Sequence, residues 1–392
     1  MSRLKQLAIL GSTGSIGCQA FSVIQSLNQS EPRFSVEALA AGENLDLLAA
    51  QINAVQPKLI AIKKSSDLAR FKKTLGSAWR GEILSGEEGL QAVAQFPSAD
   101  LVLNGLVGAA GLSPTLSSLY AGKTVALANK ESLVIGGQLV KKAMAEGKGK
   151  LIPVDSEHSA LFQLLEGRQF SEIARLVLTA SGGPLRTRPL EDFSKVTVAE
   201  VLKHPTWQMG KRITVDSATL VNKAFEVIEA HWLFDLPFEK IHTLIHPQSL
   251  VHGLVELIDG AMLAHLSVTD MKLPIQYALT YPERVPTQLP RLDLIKHKLE
   301  FDPVGEKRYP AFKTIVEAGK IGGTLPAVVN ATDEILVKRF LNGEIPFTGI
   351  ARGIQEITQQ HEPTQNPTLE EILEADRWAR EMALDLIAGA HD

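Results

Sequence analysis

Three acidic side chains have the type and spacing expected of ligands for a hard divalent cation. Asp155 and Glu157 stand two residues apart after an apolar run, so on a continuing strand their side chains would share a face. Glu226 lies in a segment of helical periodicity, on a stripe roughly 100° from the apolar one. Because carboxylate oxygens suit Mg²⁺ or Mn²⁺, these three residues are candidate metal ligands. Alternatively, the first two acids cap the following helix. Glu229, on the same stripe as Glu226, could equally lie on a solvated flank of its helix, and we leave it out of the site.

Polar side chains before the helix that carries Glu226, and in its first turn, are typical of a phosphate site. Ser181 precedes two glycines, Ser217 precedes the helix, and Asn222 and Lys223 lie in its first turn. A helix N-terminus favours an anion, and lysine adds charge-assisted hydrogen bonds. The simpler alternatives are a turn at Ser181 and a helix cap near Ser217.

The segment 184–212, rich in proline and basic residues, has the features of a lid. It carries His204, Trp207 and Gly210. An exposed aromatic side chain in a long loop with a glycine hinge indicates closure over a substrate, although Trp207 could instead belong to the core. Three further histidines lie in strand-like segments and are interpreted as structural: His246, His252 and His265.

Short apolar runs alternate with helical stretches as far as residue 155, which predicts a doubly wound (Rossmann-like) parallel sheet. The predicted strands are 7–10, 34–40, 58–62, 101–103, 124–128 and 151–154. Residues 11–17 join the first strand to a helix with the spacing G-x-x-G-x-x-G. Glycines at such a turn let the backbone approach the pyrophosphate of a dinucleotide.

Polar residues follow several of these strands, where ligands of open parallel sheets bind. They are Gly42-Glu43-Asn44, Asn104-Gly105, Asn129-Lys130-Glu131 and Asp155-Ser156-Glu157-His158. Beyond this region the pattern changes to a central α+β domain, then a proline-rich linker and a C-terminal helical bundle. We therefore predict a dinucleotide-binding domain at 1–154, a catalytic domain at 155–281, a linker at 282–309 and a helical domain at 310–392.

The composition excludes some classes of function. The 392 residues include 40 Lys and Arg against 44 Asp and Glu, and the net charge of −4 argues against a general nucleic-acid or anionic-membrane binder. The single cysteine, Cys18, excludes an internal disulfide framework. No uninterrupted apolar stretch of about 18 residues occurs, so no membrane span is expected. The start lacks the apolar region of a secretory signal, and we expect a cytoplasmic protein.

Several motifs in order resemble the 1-deoxy-D-xylulose 5-phosphate reductoisomerase family over nearly the whole chain. They are Gly11–Gly17, Ala128–Ser132, Val154–His158, Ser181–Pro184 and the series from His204 to Glu226. The resemblance implies an oxidoreductase dependent on NADPH and on Mg²⁺ or Mn²⁺. It would convert the phosphorylated ketose 1-deoxy-D-xylulose 5-phosphate to 2-C-methyl-D-erythritol 4-phosphate, by skeletal rearrangement followed by hydride reduction, in non-mevalonate isoprenoid biosynthesis. The resemblance also implies a homodimer built on the central domain.

The resemblance assigns roles residue by residue. The implied metal ligands are Asp155, Glu157 and Glu226, which with Lys130 form the catalytic group. The implied substrate contacts are Lys130, Ser156, Glu157, Ser181, His204, Trp207, Ser217, Asn222, Lys223 and Glu226. The implied cofactor contacts are Thr13, Gly14, Ser15, Ile16, Gly42, Glu43, Asn44, Asn129, Glu131 and Gly210.

One position departs from a common pattern of this family. Many relatives have a basic residue between the glycine and asparagine after the second strand, and here it is Glu43. An acid at this place favours NADH, because it accepts from the ribose 2′-hydroxyl. Solvent would screen an exposed Glu43, and Ser12, Thr13, Asn44 and backbone amides could bind the phosphate. We therefore expect the protein to use NADPH, with weaker discrimination against NADH than in relatives that have the basic residue.

Two other classes of function stay open. One is a metal-independent dehydrogenase of two domains, such as a semialdehyde dehydrogenase. Its thiol-dependent kind is disfavoured, because Cys18 follows the phosphate-loop glycines rather than occupying a separate nucleophile site. The other is a non-catalytic nucleotide sensor, which loss of the three acids would favour.

Overall fold

The computed structural model describes residues 3–76, 79–207 and 209–388, with only the backbone for residues 387 and 388. These residues form two compact units. The first unit comprises the chain up to Ser132 together with Leu139–Ser159 and Asp270–Leu289. The second comprises Leu133–Gln138, Ala160–Thr269 and the chain from Pro290 onward.

The first unit contains a seven-stranded parallel sheet, as predicted. Its strands are β1 (Lys5–Leu10), β2 (Phe34–Ala41), β3 (Leu59–Ile62), β4 (Glu82–Ser85), β5 (Leu101–Asn104), β6 (Thr124–Leu127) and β7 (Lys150–Pro153). The helices that follow them are α1 (Ser15–Ser30), α2 (Leu45–Val55), α3 (Leu68–Leu75), α4 (Gly86–Ala94), α5 (Leu112–Tyr120), α6 (Glu131–Gly147) and α7 (Ser156–Leu165). The strand order is β4-β3-β2-β1-β5-β6-β7, so the winding reverses beside β1. A dinucleotide binds at such a reversal in folds of this class.

The apolar runs of this sheet are buried on both faces, which is why they lack alternation. Residues 7–10 of β1 are 0% exposed. The six predicted strands are confirmed, with ends that shift by one or two residues. Strand β4 was not predicted, because it is short, begins with the exposed Glu82 and lies at the edge of the sheet.

The loop between β1 and α1 depends on close approach of the backbone. A Cβ atom on Gly17 would lie 2.4 Å from the carbonyl oxygens of both Gly11 and Ser12. Gly17 is therefore needed for the first turn of α1 to pack against the loop that precedes it. This packing leaves Gly14 and Ser15 exposed at the start of the helix.

The second unit is built on a mixed five-stranded sheet of order β11-β10-β8-β9-β12. Its strands are β8 (Ile173–Ala180), β9 (Ile241–Ile245), β10 (Val251–Leu257), β11 (Met262–Leu266) and β12 (Asp302–Pro303). Among the described residues between β8 and β9 are the helices α8 (Val198–Val201), α9 (Lys211–Thr219) and α10 (Val221–Phe234). Helix α11 (Lys272–Thr280) follows β11 and belongs to the first unit, where it packs against α1.

Helix α10 confirms the predicted helix that carries Glu226. Its Val227, Ala230 and Phe234 pack in one buried cluster with Leu176 of β8 and Ile241 of β9. The apolar face of α10 therefore lies on the sheet and fixes the rotation of the helix. That rotation determines where the acidic stripe of α10 points.

The predicted lid and linker are more structured than expected. Segment 184–212 contains a 3₁₀ turn at Leu190–Lys195 and helix α8, and α9 begins at Lys211, so a single long loop is wrong. The proline-rich linker includes β12, which pairs with β9. Proline fits this strand because β12 lies at an edge of the sheet.

The C-terminal region is helical, as predicted. Its helices are α12 (Pro310–Ile321), α13 (Leu325–Leu341), α14 (Phe347–Gln360) and α15 (Leu369–Ala388). A capping box opens α15: Glu371 N–H donates to Thr368 Oγ1 at 3.2 Å, and Thr368 N–H donates to Glu371 Oε2 at 2.7 Å. Among the described helices, none is long and apolar enough to cross a membrane.

A Gly17→Ala variant tests the packing of the first loop. The added Cβ would overlap two backbone oxygens, so we expect a loss of about 1–3 kcal/mol in the free energy of unfolding. Gly42→Ala is the matched control, because a Cβ on Gly42 meets nothing within 4 Å. Urea unfolding without ligands measures both, and equal stability of the two variants would contradict this account.

Candidate active site

Asp155 lies just beyond the end of β7 and immediately before α7. The strand does not continue through Glu157, so the prediction that the two acids share a strand face is wrong. They are brought together because Asp155 caps the helix: its Oδ1 accepts from Glu157 N–H at 3.2 Å. The alternative of helix capping is thus confirmed for Asp155. The Ser156 hydroxyl donates to the Glu157 carboxylate in the same turn.

Two further side chains fix the Asp155 carboxylate. Lys130 Nζ donates to its Oδ2 at 2.7 Å, and only 10% and 13% of the lysine and aspartate side chains are exposed. The fully buried His158 places its Nδ1 3.2 Å from Oδ1. Because an ionised carboxylate only accepts, Nδ1 carries the proton of the imidazole. Sequence reasoning gave His158 no role, although its position three residues after an aspartate at a helix start was a usable signal.

Asn129 precedes Lys130 and holds the surrounding loops. Its Nδ2 donates to the carbonyl oxygens of Leu106 and Gly108 and to Glu131 Oε2, at 3.2, 3.1 and 2.9 Å. Its Oδ1 accepts from the backbone and hydroxyl of Ser132 at 3.1 and 2.5 Å. Because both its amide nitrogen and its amide oxygen make hydrogen bonds, Asn129 links the loop after β5 to the start of α6. Contact of Asn129 and Glu131 with the cofactor stays a prediction.

In the second unit, Glu226 is buried with polar partners from its own helix. Its carboxylate accepts from Asn222 Nδ2 at 2.6 Å and from Lys223 Nζ. Glu226 and Lys223 are 1% and 3% exposed. Because a buried charge is tolerated only when paired, the lysine compensates the carboxylate. Glu229 is also only 1% exposed, so its interpretation as a solvated flank is wrong.

Ser181, His204 and Ser217 converge in the second unit. His204 Nε2 lies 3.0 Å from Ser181 Oγ and 3.2 Å from Ser217 Oγ. The backbone N–H of Trp207 donates to His204 Nδ1 at 3.0 Å, so the neutral ring carries its proton on Nε2. Burial lowers the pKa of His204, which favours this neutral form. The result is a group of donors whose hydroxyls can rotate toward an anion.

The two glycines after Ser181 explain this convergence. Gly183 has φ +67°, and a Cβ there would lie 2.7 Å from the Ser217 carbonyl oxygen and from Ala218 Cα. The turn therefore packs directly on the last turn of α9, which brings Ser181 to Ser217. Ser217 precedes α10, as predicted, and lies in the last turn of α9. Leu220, at φ +62°, separates the two helices.

Tyr309 is a positioning residue that sequence reasoning missed. Its hydroxyl donates to the Gly182 carbonyl oxygen at 2.9 Å, and the side chain is buried. Burial raises the pKa of Tyr309 to about 12, so the phenol keeps its proton and remains a donor. It fixes the turn after Ser181 from the distant start of α12. Nothing in the local sequence marks this contact.

Trp207 is half-buried, not the exposed aromatic that was expected. Its ring meets the ring of the buried His252 edge-on at 6.2 Å between centroids. Gly210 is exposed and caps the start of α9. Gln208, within the predicted lid, lies outside the described residues. His246 bonds to the backbone of Glu300 and Leu250, as expected of a structural histidine.

The predicted cofactor residues of the first unit lie at two loops of the sheet. Thr13 to Ile16 enter the first turn of α1, which has no side-chain cap among the described residues, so its N–H groups can face an anion. Gly42 to Asn44 are exposed after β2, and Asn44 Oδ1 accepts from Leu47 N–H at 3.1 Å as the cap of α2. The Ser12 side chain is 0% exposed, and contact of its hydroxyl with a phosphate stays a prediction.

Comparisons with known proteins agree along the whole chain. Two family profiles described as 1-deoxy-D-xylulose 5-phosphate reductoisomerase and its C-terminal domain match residues 7–137 and 151–234. A third, the DXP reductoisomerase C-terminal domain, matches 266–382. Proteins named 1-deoxy-D-xylulose 5-phosphate reductoisomerase from Pelotomaculum thermopropionicum and Chlorobaculum tepidum are 47% and 49% identical over 385 residues, which cover 98% of this chain and 99% and 100% of theirs.

Solved structures give the same result. A DOX-P reductoisomerase in complex with NADPH, fosmidomycin and magnesium has a TM-score of 0.92 at 36% identity, with 98% of each chain covered. The Zymomonas mobilis enzyme in complex with NADPH has a TM-score of 0.91 at 37% identity, with 98% of this chain and 99% of that chain covered. The profiles, the full-length relatives and the shared fold lead to one conclusion: this chain belongs to the 1-deoxy-D-xylulose 5-phosphate reductoisomerase family.

Proposed function

We propose that the protein uses NADPH and a divalent cation to convert 1-deoxy-D-xylulose 5-phosphate to 2-C-methyl-D-erythritol 4-phosphate in isoprenoid biosynthesis. The observation that carries the proposal is the set of fixed carboxylates, Asp155 with Lys130 and Glu226 with Lys223, in a chain that aligns end to end with reductoisomerases. One of those aligned structures is a complex with NADPH, fosmidomycin and magnesium.

The test is NADPH oxidation with this substrate, with and without Mg²⁺ or Mn²⁺. Metal-dependent turnover supports the proposal. Turnover that does not need a metal supports a dehydrogenase instead, and NADPH binding without turnover supports a nucleotide sensor. Only the first outcome is expected.

Asp155, Glu157 and Glu226 would hold the cation. Their donor set consists of carboxylate oxygens, which fits Mg²⁺ and also Mn²⁺. The bound cation supplies a Lewis acid that polarises the adjacent carbonyl and hydroxyl groups of the ketose during rearrangement. His158 keeps Asp155 oriented, and Lys130 holds a proton at Nζ beside the same carboxylate. Lys130 and Ser156 are proposed to contact the substrate as well.

The substrate phosphate would bind to the hydroxyls of Ser181 and Ser217 and to His204 Nε2–H. Asn222 and Lys223 complete the proposed set from the first turn of α10. Binding energy at the phosphate orients the reacting end of the molecule, which raises the rate of rearrangement. Trp207 would cover the substrate as part of a lid over 184–212, and exclusion of water protects the aldehyde before reduction.

NADPH supplies the hydride that reduces this aldehyde. The first turn of α1, from Thr13 to Ile16, would bind its pyrophosphate, and residues 42–44 would lie along its adenosine. Asn129, Glu131 and Gly210 remain proposed contacts of the cofactor.

The same proposal includes the organisation and setting of the protein. We retain functional divisions at 1–154, 155–281, 282–309 and 310–392, and we propose that the protein acts in the cytoplasm as a homodimer. Within the described residues β11 is one of the two edge strands of its sheet, and Ile258 and Met262 at its hairpin are 71% and 49% exposed. An apolar, unpaired strand edge is a surface that a second copy can cover.

Glu226→Gln tests the metal ligand. The change keeps shape but removes a charge, so turnover should fall by about 100-fold or more, since even groups that only orient a ligand contribute about 10–100-fold. NADPH binding should stay nearly intact. Glu37→Gln is the matched control, because Glu37 is also a buried glutamate paired with a lysine, Lys58, at 2.6 Å. Near-normal turnover of Glu226→Gln at limiting Mn²⁺ would exclude Glu226 as a ligand.

Trp207→Ala tests the lid. We expect kcat/KM to fall about tenfold, equivalent to about 1.4 kcal/mol of transition-state stabilisation, with little change in Tm. Substrate with cofactor should also protect residues 204–212 from amide exchange. Trp79→Ala is the contrasting variant, because Trp79 is buried and donates to the Pro57 carbonyl oxygen at 2.7 Å. A large loss of stability with unchanged kinetics would make Trp207 a core residue.

The lowered pKa of His204 predicts a pH dependence of stability in phosphate-free buffer. The unfolded ring titrates near pH 6.5, and the folded ring binds its proton only at lower pH because burial disfavours the charged form. The stability associated with neutral His204 is therefore complete above about pH 6.5 and is lost as the pH falls toward the folded pKa.

His204→Gln removes the titrating group, so its unfolding free energy should fall less steeply with pH over this window. Urea unfolding at several pH values measures the difference. His361, whose pKa burial also lowers, titrates equally in both proteins. Parallel curves for the two proteins would contradict the assignment.

A further inference from the structure

Two lysines follow β3 beside the loop that carries Glu43. Strands β2 and β3 are parallel, and Ala41 pairs with Ile62 at their ends. The loop of residues 42–44 and the two lysines therefore lie at the same end of the sheet, just beyond the carboxyl ends of these strands. Lys63 Nζ and Lys64 Nζ lie 3.9 and 4.0 Å from Glu43 Oε1.

This group carries an excess positive charge that the sequence of the Glu43 loop alone does not reveal. Two ammonium groups face one carboxylate, which leaves a net charge of about +1 for the group at neutral pH. The three side chains are exposed, at 66% for Lys63, 59% for Lys64 and 73% for Glu43. Exposed ion pairs contribute little to stability. The ammonium groups are free to reorient toward a bound anion.

The position of the group matches a known requirement of dinucleotide folds. The end of the second strand lies near the ribose 2′ position, where an acid accepts from the 2′-hydroxyl of NADH and a basic residue accommodates the 2′-phosphate of NADPH. Glu43 alone would favour NADH. With two lysines within 4.0 Å of its carboxylate, the local field instead favours a phosphate.

We infer that Lys63 and Lys64 recognise the 2′-phosphate of NADPH, and that Glu43 holds their ammonium groups near the end of β2 until the phosphate binds. The inference rests on the proposed use of NADPH, and it names residues of a neighbouring strand as the source of the selectivity. These lysines are exposed to solvent, whereas the Ser12 side chain is buried. Because the lysines are exposed, solvent and salt screen their effect, so the selectivity they provide is moderate.

The test compares two double variants of equal charge. Lys63→Gln with Lys64→Gln removes the proposed contacts, and Lys72→Gln with Lys73→Gln removes two exposed lysines from the last turn of α3. Because α3 returns the chain to the start of the parallel strand β4, these control lysines lie toward the opposite end of the sheet, near the amino ends of the strands. Calorimetric titration with adenosine 2′,5′-bisphosphate and with adenosine 5′-monophosphate then isolates the 2′-phosphate.

We expect the wild type to bind the bisphosphate more tightly than the monophosphate. In the Lys63/Lys64 variant the ratio of the two affinities, bisphosphate over monophosphate, should fall about tenfold, equivalent to about 1.4 kcal/mol. The affinities for the monophosphate and for NADH should be unchanged. The Lys72/Lys73 variant should keep the wild-type ratio. Added salt should narrow the ratio in the wild type and the control more than in the Lys63/Lys64 variant.

An equal ratio in the two double variants would overturn the inference. Turnover of the wild type with NADPH separates this failure from that of the proposed function. If the wild type turns over and the Lys63/Lys64 variant keeps its preference for the 2′-phosphate, only the lysine assignment fails. If the wild type does not turn over, the proposed activity fails, and the titrations still decide whether the lysines bind the phosphate.

Discussion

Burial of paired charges is the constraint on which the candidate site depends. Asp155 with Lys130 and Glu226 with Lys223 place carboxylates where few water molecules can solvate them. An isolated ion in such surroundings would lose several kcal/mol of solvation, so each carboxylate needs a cation and hydrogen-bond donors at fixed positions. The same arrangement suits a divalent cation, because it keeps the acids ionised and their oxygens oriented. The pairing that offsets the cost of burying these carboxylates therefore also keeps them ready to bind a cation.

The fold meets that demand with backbone elements rather than with flexible side chains. Asp155 stands between β7 and α7, and its hydrogen bond to the first turn of the helix sets its direction. Glu226 is directed by the packing of α10 on the second sheet. The phosphate-binding candidates follow the same principle, since Gly183 packs on α9 and Tyr309 holds the adjacent Gly182 carbonyl oxygen. Rigid supports of this kind favour precise orientation of a substrate.

Local patterns explain why part of this was predictable from the sequence. Buried parallel strands are continuous apolar runs, the glycine spacing at 11–17 marks a strand–helix turn, and the apolar stripe of α10 is visible in its periodicity. The pair Asp155 and Glu157 was recognised from an incorrect strand geometry. Contacts between distant segments left no local signal: Tyr309 to Gly182, and Lys63 and Lys64 to Glu43. Burial misled the interpretation of Glu229, because exposure depends on neighbours that periodicity does not identify.

The most direct test of the central claim is the number of Mn²⁺ ions bound per chain, measured by electron paramagnetic resonance in Asp155→Asn, Glu226→Gln and the double variant. If both acids hold one ion, the wild type binds one, each single variant loses most of its affinity, and the double variant loses little more. Retention of a full-affinity ion in either single variant would contradict the account, as would two sites that are lost independently.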